Sequence, residues 1–382
     1  MKYFIEKREY GISLVNFILT FAIILCCIFL FLLSKGREYS IVNTVEDGNI
    51  YEFSTNSETN AIVNNIRSDS KYNTNISLNV VDADNNKNNT ITDSNYNSND
   101  DSNDYKKHFY NQLNSAAKSI YSQIINNLDS LESGDKTINF IEDTADADKS
   151  FQSAWDALML DNPQIFFINT NNITLETRTD RRIWNSTTKY SYKLMPKQGK
   201  KYYLDTWQTQ EEVENAINEV DNKAKKIIAG AKGSRYDKVK YIHDYIVDNA
   251  EYDNSNRTNN GNIYGLLIEK SAVCEGYAKG FKYLLDMLGI PNILAYGEGI
   301  NSKNESEFHS WNYVQMENGK WYAVDTTWDD PIIIGNGKIT EKIKHKYFLK
   351  GSNTFFDKHK ENNDISGTGQ NFKYIEISKT DY

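Results

Sequence analysis

Of the three cysteines in the 382-residue chain, Cys26 and Cys27 fall inside an apolar run, and Cys274 stands alone in the polar remainder. One thiol excludes a disulfide framework and a multi-cysteine zinc site in that part. It leaves room for a nucleophile, because a single Cys with His and Asp elsewhere is a pattern of thiol catalysis. The candidate partners are His309, in FHSWNYVQM, and Asp325, in WYAVDTTWDD. In such a set the thiolate attacks a carbonyl carbon, the imidazole moves protons, and the carboxylate orients the imidazole. Each residue also has a plainer reading. Cys274 can be a buried structural Cys, His309 an exposed edge-strand His, and Asp325 a strand-end turn residue.

The elements around these residues decide whether they can meet. Cys274 opens a helix running to Leu288, with Ala278, Phe281, Leu285 and Leu288 facing inward. Gly289 caps it and Pro291 marks the stop. A helix N-terminus lowers a thiol pKa, and its free N–H groups can face an oxyanion. His309 and Asp325 fall on two strands of a hairpin around Asn318-Gly319. A two-residue turn would pair Met316 with Trp321 and put His309 and Asp325 on opposite faces. A Glu317-Asn318-Gly319 turn with Gly319 left-handed and bulged pairs Met316 with Lys320. Then His309 faces Thr327, Trp311 faces Asp325, and His309 and Asp325 become diagonal neighbours on one face. The x-Asn-Gly sequence favours the bulged form.

Upstream, Phe109 to Leu128 carries apolar residues at helical spacing, so one amphipathic helix is expected over 108–128. Further helices are expected over 148–160, 210–229 and 236–250. Strands are expected over 164–179, 187–196, 292–299, 308–316 and 321–328. His243 falls on the polar side of its helix, where a surface or structural role competes with assistance to catalysis. Trp311 and Trp328 are candidates for cleft walls or core packing, and Tyr252 and Tyr296 for the cleft. Asp329-Asp330-Pro331 reads as a turn with a lesser claim to a cation. His345 and His359 lie in a Lys-rich tail with no carboxylate cluster nearby in sequence, so no metal site is expected. No Gly-rich phosphate loop is present, and no cofactor is expected.

The net charge of −9 disfavours a nucleic-acid backbone as a partner. Abundant Asn, Ser, Asp and Tyr with only 4 Pro suits a low-GC bacterium. The uncharged run from Ile12 to Leu33 is long enough for the about 20 residues that cross a bilayer, and no small-x-small cleavage site follows it. It is expected to be an uncleaved signal-anchor. Lys2, Lys7 and Arg8 precede it against Lys35 and Arg37 after it, which favours residues 1–11 inside and the C-terminal part outside. Residues 34–104 are Asn/Ser/Asp-rich and read as a disordered spacer. An accessory α/β region is expected over 105–230 and a catalytic domain over 231–382.

The runs SAVCEGYAKGFKYLLDMLGIP, HSWNYV and GKWYAVDTTWDDP resemble the transglutaminase-like superfamily of thiol enzymes. The likeness covers about residues 234–331, and IHDYIVDNAEYD and ALMLDNPQIFF look like regions that accompany the domain in bacterial relatives. It implies an α+β, papain-like core: a Cys-bearing helix packed on an antiparallel sheet. It implies Cys274 as nucleophile, His309 as base and acid, and Asp325 as orienting group, acting on amide bonds of cell-surface protein or peptide. The acyl-enzyme would pass to an amine or to water. The rivals are a cysteine protease and, from another class, a catalytically silent binding module.

Overall fold

The apolar stripe over 108–128 is not one helix but three short ones: α1 (His108–Asn111), α2 (Ser115–Ile125) and α3 (Leu128–Glu132). Asparagines cut it. The Asn114 side chain accepts from Ala117 N at 2.8 Å and starts a new helix, and Asn126 and Asn127 separate α2 from α3. The stripe is still buried at Phe109, Leu113, Ile120 and Ile124. This computed structural model describes residues 105–142, 147–182, 187–255, 257–301, 304–330, 340–364 and 371–382. The expected membrane segment 12–33 and spacer 34–104 lie outside them. Among the described residues no helix is long and apolar enough to cross a membrane.

Helix α4 (Ala147–Asp161) ends on Asp161, whose carboxylate accepts the N–H groups of Phe109 and Tyr110 at 3.2 and 2.9 Å. Burial pushes this carboxyl up to about 7, against the pull of Lys282 and of those two N–H groups. A three-stranded antiparallel sheet follows, in the order β1 (Ile138–Glu142), β3 (Thr187–Pro196), β2 (Ile173–Arg182). The strand expected over 164–179 begins only at Ile173, because Asn169 Oδ1 accepts from Asn171 N at 3.0 Å and turns the chain.

Helices α5 (Gln210–Ile228) and α6 (Arg235–Asn249) each open on a capping box, Thr209 with Glu212 and Ser234 with Asp237. The two-residue parallel strands β4 (Glu251–Tyr252) and β5 (Ser271–Ala272) bring the intervening loop beside the start of α7 (Cys274–Met287). Four antiparallel strands then pair in the order β8 (Trp321–Val324), β7 (Ser306–Gln315), β6 (Asn292–Ile300), β9 (His359–Glu361). Two short helices, α8 (Glu341–Lys344) and α9 (Ser352–Phe355), precede β9. Helix α7 packs on β6 and β7. One hydrophobic core runs from Phe109 and Leu158 through Val220 and Val239 to Phe281 and Val314, so residues before and after 230 share it. A smaller cluster of Ile293, Trp311, Tyr313 and Phe355 stands apart from it.

The hairpin adopts the bulged register. Gly319, at φ +74°, donates to Met316 O at 2.9 Å, and Met316 N donates to Lys320 O at 3.0 Å. Gln315 then faces Trp321 and Asn312 faces Val324. The expected strand to 328 stops at Val324, because the Asp325 carboxylate takes the N–H groups of Thr327 and Trp328, each at 3.0 Å. Those N–H groups are lost to the ladder, and Asp325 opens a turn.

Candidate active site

Cys274 is the first residue of α7 and is buried. Its N-cap is Val273, and among the described residues no side chain caps the helix. The first-turn N–H groups are the ones such a helix leaves unpaired. The entry is held by the 251–262 loop: Val273 N donates to Asn260 O at 3.0 Å. A Cβ at Gly276 would sit 2.4 Å from that same Asn260 oxygen. Only glycine lets the helix start lie this close.

His309 Nε2 donates to Asp325 Oδ2 at 2.7 Å, and the Cys274 thiol lies close enough to the ring to favour its charged form. With Nε2 committed to the carboxylate, Nδ1 is the nitrogen left for sulfur. Burial by itself would strip the ring of its proton. The Asp325 charge and hydrogen bond, with the Cys274 contact, overcome that and hold the ring protonated up to about 10. Burial likewise opposes ionisation of Asp325, but His309 and a second histidine keep it well below the ordinary carboxylate range.

That second histidine is His359, which donates from Nε2 to the same Asp325 Oδ2 at 2.9 Å. It stacks on Phe355 with ring centroids 3.8 Å apart, and its Nδ1 faces Phe355 O at 3.2 Å. Burial, then the neighbouring His309 charge, lower its pKa, against the pull of Asp325. The sequence reading left it in the tail. It lies 34 residues from Asp325, and no local motif links the two. It gets there because β9 pairs antiparallel with β6, opposite Gly299.

The two tryptophans divide the roles proposed for them. Half-buried Trp328 stacks on His309 at 4.6 Å and 25° and covers the ring. Its indole lies against Gly299, where a Cβ would come within 2.7 Å of it. Trp311 is fully buried between Phe355 and His359 and is core. Tyr252 lies close enough to Cys274 for its hydroxyl pKa to be raised by burial and then by the sulfur charge. Tyr296 is buried and donates to Glu275 Oε1 at 3.0 Å, one residue past Cys274.

Asp329 and Asp330 are more than turn residues. Asp330 accepts from the Tyr277 hydroxyl at 2.5 Å, and burial pushes its carboxyl up to about 6. Asp329 is fully buried; it faces His243 Nε2 at 3.0 Å and accepts from Tyr347 N at 2.8 Å. Pro331 lies outside the described residues. His243 is therefore not on a polar face: it is fully buried, beside Ile242 and Ile246. Its Nδ1 meets Asp244 Oδ1 at 3.0 Å, and His345 Nε2 meets that same oxygen at 2.6 Å. The expectation that His345 and His359 lack neighbouring carboxylates is corrected at both positions. The tail folds back on α6 and on the Asp325 turn, supplying partners that sequence distance hides.

A helix-borne thiol, a strand-borne imidazole and a carboxylate just past a strand end meet at this site. Residues 221–326 match the family model of the transglutaminase-like superfamily, and the chain carries a domain of that kind. No curated protein matches the chain. Among solved structures it is similar to a TGase, at 17% identity over 56% of this chain and 56% of that one, with a TM-score of 0.28. It thus spans just over half the length of that protein. It is also similar to a candidate cysteine protease from Cytophaga hutchinsonii, at 16% identity over 42% of this chain and 68% of that one, TM-score 0.25. A third is the periplasmic domain of TgpA from Pseudomonas aeruginosa bound to ethylmercury, at 16% identity over 42% and 66%, TM-score 0.21.

Proposed function

We propose that the chain is a membrane-anchored thiol enzyme acting on amide bonds of protein or peptide, with Cys274 as nucleophile, His309 as general acid and base, and Asp325 as the orienting carboxylate. The observation that carries this reading is His309 held on Asp325 at 2.7 Å beside the Cys274 thiol, at a helix start with no side-chain cap. In the first half-reaction the sulfur attacks the amide carbon, and the carbonyl electron pair moves onto oxygen. In this reading N–H groups at the start of α7 receive that oxyanion. The C–N bond then breaks, and the departing amine takes a proton from His309. In the second half-reaction His309 takes a proton from an incoming amine or water, which attacks the thioester and releases Cys274. An amine gives transfer and water gives hydrolysis.

The test uses the full-length chain and a Gln-containing peptide, with and without a primary amine, read by mass spectrometry. Amine addition with loss of ammonia supports transfer. Conversion to the acid, or cleavage of the peptide, supports hydrolysis. A Cys274 that iodoacetamide labels no faster than a free thiol, with no product from any peptide, sinks the enzyme reading in favour of a binding module.

Anchoring rests on the uncharged Ile12–Leu33 run and the basic residues before it. Alkaline carbonate should leave the chain in the membrane pellet, and protease added outside intact cells should remove residues 105–382.

A further inference from the structure

We propose that His243, Asp244 and His345 form a binding site for one zinc-type divalent cation, distinct from the thiol site and pinned to it through Asp329. The atoms that converge are His243 Nδ1, His345 Nε2 and Asp244 Oδ1, all within 4.8 Å of one another. Two nitrogens and one carboxylate oxygen form a ligand set that suits zinc.

The far side of each imidazole supplies an independent argument. His243 Nε2 faces the buried Asp329 carboxylate at 3.0 Å, and His345 Nδ1 faces the Glu341 carbonyl at 2.8 Å. Both are acceptors, so each ring can place its hydrogen there and turn a lone pair toward Asp244, the tautomer that a metal would select. Histidines that bind metal are held in this way, by a carboxylate or a carbonyl behind the ring. In that tautomer two lone pairs and one carboxylate oxygen face one another, with the Lys344 ammonium 4.0 Å from that oxygen, and a cation among the three would bind them all.

Charge sets how much is needed. Asp244, Asp329, Asp248 and Glu341 gather here against Lys240 and Lys344. The surplus is two negative charges, which one divalent ion or two protons would cancel. Lys240 binds Asp244 Oδ2, which leaves Oδ1 as a single-oxygen ligand. His243 is sealed from solvent, while Asp244 and His345 keep 23% and 15% of their side chains exposed, so an ion can enter and keep a water. The ion would tie α6 and α8 together and, through His243, hold Asp329 four residues past Asp325. The role is structural; no step of the proposed reaction passes through it, and the site stands whether or not Cys274 is a nucleophile.

The test titrates the untagged full-length chain bearing Cys274→Ser, so that the thiol adds no ligand, with Co2+ as a visible stand-in for Zn2+. One Co2+ per chain should bind with ligand-field absorption of a low-coordinate nitrogen–oxygen site, and Zn2+ should displace it. Adding His345→Ala or Asp244→Asn should abolish the band, and His359→Gln should keep it. Thermal melting checks that each variant folds. Zn2+ at a hundredfold excess over its Kd should lower the unfolded fraction of the parent about a hundredfold and leave His345→Ala unmoved. No band in the folded parent, or a band that survives both His345→Ala and Asp244→Asn, overturns the site and leaves two protons as its filling. A band lost with His359→Gln instead places the ion on the Asp325 cluster and equally overturns the proposal.

Discussion

Two histidine–carboxylate clusters are linked in this molecule through Asp329, four residues past Asp325, and they are built alike. In the first, Asp325 takes His309 and His359 on a single oxygen, its other oxygen is filled by two backbone N–H groups, and the ring of His309 turns toward a thiol. In the second, Asp244 takes His243 and His345 on a single oxygen, its other oxygen meets Lys240, and the far nitrogens face Asp329 and a carbonyl. The first has three members buried, with a thiol at its end. The second is part-open and has no nucleophile. Under the proposed function, the same residue types do chemistry or do not according to what lies behind the ring. A sulfur there makes the imidazole a proton carrier, and a fixed acceptor makes it a fixed ligand or strut.

The largest expected effect breaks the first cluster. Cys274→Ala or His309→Gln should cut turnover on the order of 10⁴-fold or more, with the double variant little worse than either single one. Asp325→Asn should cost about 10²- to 10⁴-fold by misplacing the His309 proton. The same change four residues on, Asp329→Asn, should cost less than about tenfold in turnover, because Asp329 reaches no reacting atom. Equal losses at the two positions would erase the functional difference between the clusters. A pH series adds a sign. The folded pKa of His309 is raised to about 10, so its stabilising contribution is complete below the unfolded value of about 6.5 and is lost as pH rises through about 10. Iodoacetamide labelling of Cys274 that depends on the imidazolium should therefore persist above neutrality and change near pH 10. In Asp325→Asn that upper change should move toward neutrality.

The second cluster should break as structure. Truncating His243 to Ala leaves the Asp329 carboxylate buried without its imidazole, which costs about 3–5 kcal/mol in denaturant unfolding. His345→Ala, nearer solvent, should cost under about 1.5 kcal/mol without metal. A large activity loss in folded His345→Ala would mean that the two clusters are energetically one.

A smaller effect tests how far the first cluster extends. His359→Gln keeps a donor for Asp325 and should lower turnover less than about tenfold. His359→Phe keeps the stack on Phe355 but removes the donor, and should lower it further, with KM unchanged if the ring only positions Asp325. A shift of KM with kcat unchanged would place His359 in contact with substrate.

The parts legible in sequence were those set by local periodicity and by turn chemistry. Helices α5, α6 and α7 lie where apolar spacing and caps put them, within a residue or so at each end. The hairpin register followed from Gly319 alone. What could not be read is what the tail does. His345 and His359 reach Asp244 and Asp325 only because β9 pairs with β6 and the 340–350 segment folds onto α6. Those are long-range pairings between short elements, with no periodicity to announce them. His243 misled for another reason. A histidine in a charged run reads as polar, and only the partners Asp244 and Asp329 make its burial tolerable. The break of the 108–128 helix was also missed, because the apolar stripe survives it and conceals the Asn114 cap.

The smallest effect separates the clusters most cleanly. At Gly319 an added Cβ would meet nothing within 4 Å, so Gly319→Ala carries no steric clash. Its cost is conformational: φ is +74°, a region that Ala adopts only at about 1 kcal/mol. If the bulged register holds, stability falls by about that amount in urea unfolding while turnover and Co2+ binding stay as they were. Deleting Lys320 is the sharper test of the same register. It keeps the bulged turn but pairs Met316 with Trp321, which shifts β8 by one residue against β7 and turns Asp325 to the opposite face from His309. His243, Asp244 and His345 lie outside that hairpin, on α6 and at the end of α8. The deletion should therefore abolish turnover while the chain still binds one Co2+. Retained turnover would show that the diagonal placement of Asp325 is not what holds His309. Loss of both would show that the two clusters depend on one register.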